Sequence, residues 1–243
     1  MRTSRVYTDQ PLSVGACVTL EEGPARHLAQ VLRLKANASV VLFNGDGHDY
    51  QGIITTLQKR HVAVTLSSVG EAEPVPTLEI HLGLGISKSE RMDFAIQKAV
   101  ELGVSEITPL VTERCVVRIS DQRMQKRLQH WRNIIISACE QSGRRRLPHL
   151  HETQPLKSWL DAHTHSSGFL LDHRSEQSFP DFAPPANATT LLVGPEGGLS
   201  EGERNRAKAS GLQGARLGPH VLRTETAPLA AITALQTLWG DFR

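Results

Sequence analysis

The chain has few cysteines and no long apolar run, and both absences limit what it can be. Three of its 243 residues are cysteines, Cys17, Cys115 and Cys139, and no two form a Cys-x-x-Cys pair suited to zinc or dithiol chemistry. We therefore expect reduced structural thiols in a cytoplasmic protein. A membrane span needs about 18 uncharged apolar residues in a row, which this sequence does not contain, and its first residues lack the apolar segment of a secretory signal. We expect no membrane association.

Two common glycine motifs for nucleotides are also missing. A P-loop requires Gly-x-x-x-x-Gly-Lys-Ser/Thr, and no such segment occurs. A dinucleotide-binding fingerprint requires Gly-x-Gly-x-x-Gly, and although Gly83 and Gly85 fit its first half, Lys88 stands at the third glycine position. The sequence therefore disfavours both a P-loop and classical dinucleotide binding.

The net charge of +2 conceals an uneven distribution. Between Arg114 and Arg146 nine basic residues stand against two acidic ones, a local charge of +7 that leaves −5 for the remainder. A concentrated basic patch attracts a polyanion through counterion release, which favours a nucleic-acid partner. A basic helix face exposed only to solvent would have the same composition, and the charge alone does not distinguish the two.

A break in composition at residues 71–76, with two prolines and two acidic residues around it, predicts a linker. Residues 1–70 predict a small β-rich domain with one helix near Pro24–Leu32. Residues 77–243 alternate buried strands with helices, which is typical of a parallel α/β sheet. The strands predicted in the first domain are Ala16–Leu20, Ser39–Phe43, Gly52–Leu57 and Val62–Leu66. Those predicted in the second are Leu78–Gly85, Ile107–Thr112, Gly168–Asp172, Thr190–Val193 and Ala215–Leu217.

Four helices are predicted between and after these strands. Capping-box spacing at Ser87 and at Ser200 predicts helices that run to Leu102 and to about Ala209. A third helix over residues 122–139 places apolar side chains on one face, and a fourth covers about Ala227–Trp239.

Three polar loops follow predicted strands, at Asp172, at Gly194–Gly198 and at Leu217–Ala227. A single glycine-rich loop before a helix is usually an ordinary tight turn. Ligands of open parallel sheets bind at the carboxyl ends of the strands, where these three loops should meet. Together they predict a small-molecule site.

Several long motifs resemble one known family, the RsmE family of bacterial 16S ribosomal RNA uridine methyltransferases in the SPOUT class. The resemblance begins near Arg5-Val-Tyr7 and His27–Leu34, in what looks like that family's PUA-like domain, so it covers essentially the whole chain. The motifs that carry it in the second domain are Gln97–Val104, Glu140–Arg144, Gly194–Leu199 and Leu217–Ala227.

The resemblance implies a carboxy-terminal methyltransferase domain with a deep trefoil knot and S-adenosylmethionine as cofactor. It also implies a homodimer that methylates ring N3 of a uridine in 16S rRNA, within the small ribosomal subunit. The cofactor residues implied are Leu171, Asp172, Gly194, Pro195, Glu196, Gly197, Gly198, Leu217, Gly218, Leu222, Thr224, Thr226 and Ala227.

Two residues of the last loop are candidates for catalysis, because uracil N3 is a weak nucleophile until it loses its proton. Glu225 could accept that proton, and Arg223 could stabilise the anionic uracil or grip a phosphate. Alternatively, the two pair with each other and only shape the loop. Arg5, Arg33 and Arg144 are the candidates for RNA contacts.

Two His-x-His pairs, His149 with His151 and His163 with His165, raise the question of a metal. Neither comes with an evident third ligand, so we expect no metal site. Two other functions stay open from the sequence: a related methyltransferase acting on tRNA, and an RNA-binding protein without catalytic activity.

Overall fold

The computed structural model describes residues 3–58, 61–115, 121–162 and 168–242. The chain divides into two units: unit 1 contains Met1–Pro74 and Cys139–Leu147, and unit 2 contains Val75–Ala138 and Pro148–Arg243. The boundary thus lies within the linker expected at residues 71–76. The sequence did not indicate that residues 139–147, more than sixty positions further along, belong with the first unit.

Unit 1 is built on a five-stranded sheet in the order β1-β3-β4-β5-β2. Strand β1 is parallel to β3, and the other neighbours are antiparallel. The four predicted strands are present, whereas β1 is an addition whose short polar sequence shows no strand pattern. The bounds are β1 Ser4–Tyr7, β2 Cys17–Thr19, β3 Ser39–Phe43, β4 Tyr50–Gln58 and β5 His61–Val69.

The predicted helix near Pro24–Leu32 is present in an altered form. Helix α1 covers Glu22–Arg26 and continues as a π-helical turn over His27–Val31, closed by the Leu32 amide donating to the His27 carbonyl at 2.9 Å. The wider i→i+5 turn breaks the 3.6-residue spacing on which the prediction depended. Leu28 is buried as expected, but Val31 and Leu32 are 64% and 39% exposed, so the predicted packing of these two residues is wrong.

Unit 2 contains a parallel sheet in the order β12-β10-β11-β6-β7-β8, with β9 also paired to β7. All five predicted strands are found, with ends that differ by at most two residues. The two-residue strands β8 and β9 are too short for any periodicity. The bounds are β6 Glu79–Gly85, β7 Glu106–Val111, β8 His149–Leu150, β9 Gln154–Pro155, β10 Phe169–Leu171, β11 Ala188–Val193 and β12 Gln213–Ala215.

The four predicted helices are present, together with a fifth, α4, that was not predicted. Helix α3 buries the expected face, with Leu128, Trp131 and Ile135 at most 8% exposed. None of the helices in the described ranges is long and apolar enough to span a bilayer. The bounds are α2 Ser89–Glu101, α3 Asp121–Ser142, α4 Leu156–Ala162, α5 Glu201–Ala209 and α6 Thr226–Trp239.

Only one of the two predicted capping boxes forms. At the start of α5, the Ser200 hydroxyl accepts from the Glu203 amide at 3.1 Å and the Glu203 carboxylate accepts from the Ser200 amide at 2.8 Å. At the start of α2 the cap residue is Lys88, which makes no side-chain cap, and the Ser87 hydroxyl lies against the Met92 sulfur instead. The Lys88 amide instead donates to the carboxylate of Glu196, which lies in a distant loop that the local sequence pattern could not reveal.

Candidate functional site

A cavity of about 570 Å³ lies at the carboxyl ends of β10, β11 and β12 in unit 2. These three strands are neighbours and run parallel, so the loops that follow them emerge at one edge of the sheet. The loops are those predicted from the sequence: Asp172 after β10, Gly194–Gly198 after β11, and residues 216–225 between β12 and α6. The tertiary structure therefore brings together three segments that are separate in the sequence.

Most of the residues expected to bind a cofactor line this cavity. Gly218 and Thr226 do not: both are exposed, and Gly218 has a φ of +70°, so it supplies the left-handed conformation of a turn instead of a wall. Those that do line it are Leu171, Asp172, Gly194, Pro195, Glu196, Gly197, Gly198, Leu217, Leu222, Thr224 and Ala227.

The Gly194–Gly198 loop is held against two other segments of unit 2. The Thr224 hydroxyl donates to the Gly194 carbonyl at 3.0 Å, which joins this loop to the one before α6. On the other side the loop packs on the end of β6, where a Cβ atom added at Gly85 would lie 2.6 Å from both Cδ and N of Pro195. The close approach of the two backbones requires glycine at that position.

Glu196 lines the cavity, and one oxygen of its carboxylate binds the scaffold, while the buried Oε2 has no hydrogen-bond partner among the described residues. Oε1 accepts from the Lys88 amide at 3.0 Å and lies 3.5 Å from Nη1 of Arg91. A carboxylate at the first turn of α2 is also favoured by the helix dipole. Glu196 therefore supplies the missing cap of α2 and fixes the loop.

Asp172 is similarly engaged. Its side chain is almost fully buried, accepts from the Arg174 amide at 3.1 Å, and lies 3.8 Å from Nε of Arg204. Arg204 in turn donates to the Leu199 carbonyl at 2.6 Å. The carboxylate is thus paired, as a buried charge must be, and it links the β10 loop to the start of α5.

The two catalytic candidates have different surroundings. Arg223 lines the cavity and its side chain is 79% exposed. Glu225 does not line the cavity and is 18% exposed, with one oxygen 3.8 Å from Nε of Arg91 and the other 4.0 Å from Nη1 of Arg223. Its buried Oε2 has no hydrogen-bond partner among the described residues. The alternative that Arg223 and Glu225 simply pair has weak support, because their contact is long and Arg223 faces solvent.

Sequence reasoning missed the other arginines of the cavity. Arg91 lies between the carboxylates of Glu196 and Glu225, and Arg114 donates to the Gly197 carbonyl at 3.0 Å. They come from α2 and from the segment after β7, so only the order of strands in the sheet would have pointed to them. Among the residues that the structure describes, the cavity lining contains five arginines against two carboxylates; the arginines are Arg91, Arg114, Arg174, Arg204 and Arg223.

The three arginines expected to contact RNA all belong to unit 1, and they differ in exposure. Arg33 is exposed, with an unusual φ of +50°. Arg144 is half-buried, and desolvation lowers the pKa of its guanidinium. Arg5 is 10% exposed and donates to Asp49 and to the carbonyls of Cys139 and Arg144. A contact between Arg5 and RNA would require these bonds to break.

The expectation of no metal site depended on the absence of a third ligand, and the fold supplies one for His151. Within the described residues, His81, Glu106 and His151 each offer a ligand atom, and these atoms lie within 4.8 Å of one another. The second pair, His163 and His165, lies outside the described residues.

Comparison with known proteins identifies relatives along the whole chain. Residues 73–236 match the family model of an RNA methyltransferase domain, and residues 21–67 match that of an RNA methyltransferase PUA domain. Ribosomal RNA small subunit methyltransferase E of Buchnera aphidicola from Schizaphis graminum is 32% identical over 99% of this chain and 98% of its own.

Two solved structures are similar over the full length of both chains. Ribosomal RNA small subunit methyltransferase E of Neisseria gonorrhoeae, bound to S-adenosyl methionine, is 40% identical with a TM-score of 0.93 over 100% of each chain. A Legionella pneumophila methyltransferase in complex with the bound cofactor SAM is 37% identical with a TM-score of 0.97, also over 100% of each.

Proposed function

The chain belongs to the RNA methyltransferase family that includes ribosomal RNA small subunit methyltransferase E, and we propose that it transfers a methyl group from S-adenosylmethionine to ring N3 of a uridine in 16S rRNA. The observation that carries this proposal is the cavity formed by the three loops, in a chain whose full length matches two structures with bound cofactor. The two family models and a cavity of suitable size support the same activity.

The cavity provides the features that a cofactor with an adenine ring and an amino-acid group needs. Leu171, Leu217 and Leu222 offer apolar surface for the adenine, and the glycines of the 194–198 loop expose backbone amides and carbonyls that can bind polar edges. Because both oxygens of Asp172 and Oε1 of Glu196 already have partners, we assign recognition of the cofactor mainly to backbone groups. When bound, the cofactor supplies an electrophilic methyl group on a sulfonium.

The protein's own residues must align uracil and remove its N3 proton. In the transfer, a bond forms between N3 and the methyl carbon while the carbon–sulfur bond breaks, and the electron pair of that bond stays on sulfur. The N3 proton leaves to a base, so the products are N3-methyluridine, S-adenosylhomocysteine and one proton. Alignment of the two reactants and proton removal together supply the catalysis.

Glu225 is our candidate for the base. Its buried oxygen has no hydrogen-bond partner within the described ranges, and it directly follows Thr224, which lines the cavity. Arg223, being mostly exposed, is free to approach a uracil oxygen or a phosphate, while Arg91 fixes the carboxylates of Glu196 and Glu225. In this assignment Arg91 is a positioning residue.

The test of this assignment is Glu225→Gln, which keeps the shape of the side chain but removes its charge and most of its basicity. We expect turnover to fall about 100-fold or more, the range for general-base catalysis, with an unchanged Kd for S-adenosylmethionine by calorimetry. Glu201→Gln, at an exposed residue on α5, is the matched control and should behave as the unaltered protein. Full turnover of Glu225→Gln across several pH values would exclude Glu225 as the base.

The choice of RNA substrate is tested separately. The arginine-rich cavity and the exposed Arg33 favour a polyanion but do not distinguish rRNA from tRNA. Labelled methyl transfer should be measured to small ribosomal subunits that lack the modification, to naked 16S rRNA and to tRNA. We expect labelling of the subunit; labelling of tRNA alone would favour a tRNA methyltransferase. Failure to bind S-adenosylmethionine in calorimetry would favour an RNA-binding protein without activity.

We also propose the trefoil knot and the homodimer that the family resemblance implies. After edge strand β12 the chain returns to α6, which packs against α2, and on the way Thr224 bonds to the Gly194 carbonyl of the preceding loop. A knot requires in addition that the returning segment pass through the earlier loop and not merely beside it. Light scattering coupled to size exclusion tests the dimer: a monomer at micromolar concentration would contradict it. We retain a cytoplasmic location as part of this proposal.

A further inference from the structure

Three potential metal ligands lie at the edge of the unit 2 sheet opposite to the cavity. His81 is near the start of β6, Glu106 is the first residue of β7, and His151 directly follows β8. These three strands are parallel neighbours, and His81 is paired in register with Glu106. The cluster thus lies near the amino-terminal ends of β6 and β7, with His151 placed beside them by the short strand β8, whereas the cavity lies at the carboxyl ends of β10, β11 and β12. It takes no part in the proposed methyl transfer.

The three ligand atoms have nearly the separations that a metal ion imposes. Glu106 Oε2 lies 2.6 Å from Nε2 of His151 and 3.9 Å from Nδ1 of His81. Nitrogen and oxygen ligands about 2.0–2.2 Å from a tetrahedral zinc ion are about 3.3–3.5 Å apart. These two distances bracket that value, and the third pair, His81 with His151, lies within 4.8 Å, so adjustments of about 1.5 Å or less would close the site.

The ring of His81 is already oriented for binding. Its Nε2 forms a hydrogen bond of 2.8 Å with the hydroxyl of Thr108, a fully buried residue, and this leaves Nδ1 directed at Glu106. When Nδ1 binds a metal, Nε2 retains its proton and donates it to Thr108. Outer partners of this kind fix the tautomer and orientation of metal-bound histidines.

The three side chains remain partly accessible to solvent. The side chains are 18% exposed for His81, 33% for His151 and 43% for Glu106. A hydrated ion can therefore reach them.

From this geometry we propose that His81, Glu106 and His151 form a zinc site that is separate from the methyltransferase cavity. Two imidazoles and one carboxylate are a donor set that zinc uses when water occupies a fourth position. Since the ligands come from the edges of three adjacent strands, the ion joins β6, β7 and the segment after β8. Its effect is on the stability of unit 2 and not on the chemistry of transfer.

The test uses the full chain without an affinity tag, freed of metal by a chelator. Co²⁺ serves as a spectroscopic probe, because tetrahedral Co²⁺ absorbs visible light strongly, and Zn²⁺ should then displace it. Calorimetry should give one Zn²⁺ per chain, and Zn²⁺ should raise the Tm. Octahedral Co²⁺ spectra, or no stoichiometric binding of Zn²⁺ by the unaltered protein, would overturn the proposal whatever the variants do.

Variants then locate the ion. His81→Gln, Glu106→Gln and His151→Gln should each weaken Zn²⁺ binding more than about tenfold, and Thr108→Val, which removes only the outer partner, by about 10- to 100-fold. His130→Gln is the matched control, because His130 is an exposed histidine paired with Asp93 at 2.8 Å without a third ligand, and its loss should change nothing. Equal affinity in the unaltered protein and in His81→Gln would mean that His151 and Glu106 are only a hydrogen-bonded pair.

Discussion

Replacing Arg5 by methionine should destabilise unit 1, because this guanidinium bonds three groups from distant parts of the chain. It donates to Asp49 at 2.7 Å, to the Cys139 carbonyl at 2.7 Å and to the Arg144 carbonyl at 3.1 Å, with only 10% of the side chain exposed. Its Cζ lies 4.5 Å from the centre of the Phe43 ring. Methionine can keep the packing on Phe43, so the variant isolates the loss of charge and hydrogen bonds.

The expected loss is about 3 kcal/mol in the free energy of unfolding. Removing one partner of a buried ion pair costs about 3–5 kcal/mol, because the remaining charge is left unpaired. Here the cost falls at the lower end, since Asp49 is 20% exposed and keeps a second cation, Nε of Arg145, at 3.3 Å. The carbonyls of Cys139 and Arg144 lose a donor, and hydrogen bonds to charged groups contribute about 1.5–3 kcal/mol.

Urea denaturation can follow the two units separately. Both tyrosines, Tyr7 and Tyr50, lie in unit 1, whereas all three tryptophans, Trp131, Trp159 and Trp239, lie in unit 2. Derivative absorbance resolves the two ring types. The tyrosine transition should move to lower urea with an unchanged slope, because the surface exposed on unfolding is the same.

Arg33→Met is the matched control, since it removes an exposed arginine of the same unit. Its free energy of unfolding should change by no more than about 0.5 kcal/mol, while its affinity for RNA should fall if Arg33 contacts phosphate. A loss below about 1 kcal/mol for Arg5→Met would refute the reasoning and would return Arg5 to the group of arginines available to RNA.

Three further predictions concern single positions. Gly85→Ala should lower the free energy of unfolding by about 1–3 kcal/mol, because the added methyl group overpacks against Pro195. The Gly194–Gly198 loop must then move, so calorimetry should show weaker binding of S-adenosylmethionine. An unchanged affinity for the cofactor would contradict the close approach of Gly85 to Pro195. Ser200→Ala should cost about 1 kcal/mol in thermal or chemical unfolding, and Ser200→Gly only a few tenths, if its hydroxyl caps α5. Burial raises the pKa of Cys139 to about 11, so this thiol stays protonated near neutral pH and should resist alkylation, while the exposed Cys17 should react. Mass spectrometry of the alkylated protein measures the order of reaction, and faster alkylation of Cys139 than of Cys17 would contradict the prediction.

Local patterns were sufficient where a segment's structure depends on its own residues. Alternation and apolar runs located nine strands, with ends that differ by at most three residues, and the Ser200 box located the start of α5. The loops after β10, β11 and β12 could be assigned to one edge because parallel strands place their carboxyl ends together. The sequence by itself thus determined the class of fold and where to search for a ligand.

Only the tertiary structure decided which distant side chains meet. Three features depend on the order of the strands and on where the chain returns in the fold, and neither produces a periodic pattern in the sequence. They are the assignment of residues 139–147 to unit 1, the burial of Arg5, and the position of Arg91 between two carboxylates. His81 and His151 are 70 positions apart and become neighbours because β6, β7 and β8 lie side by side. Periodicity reports which face of a segment is buried, whereas charge pairing and metal ligation depend on what that face is buried against.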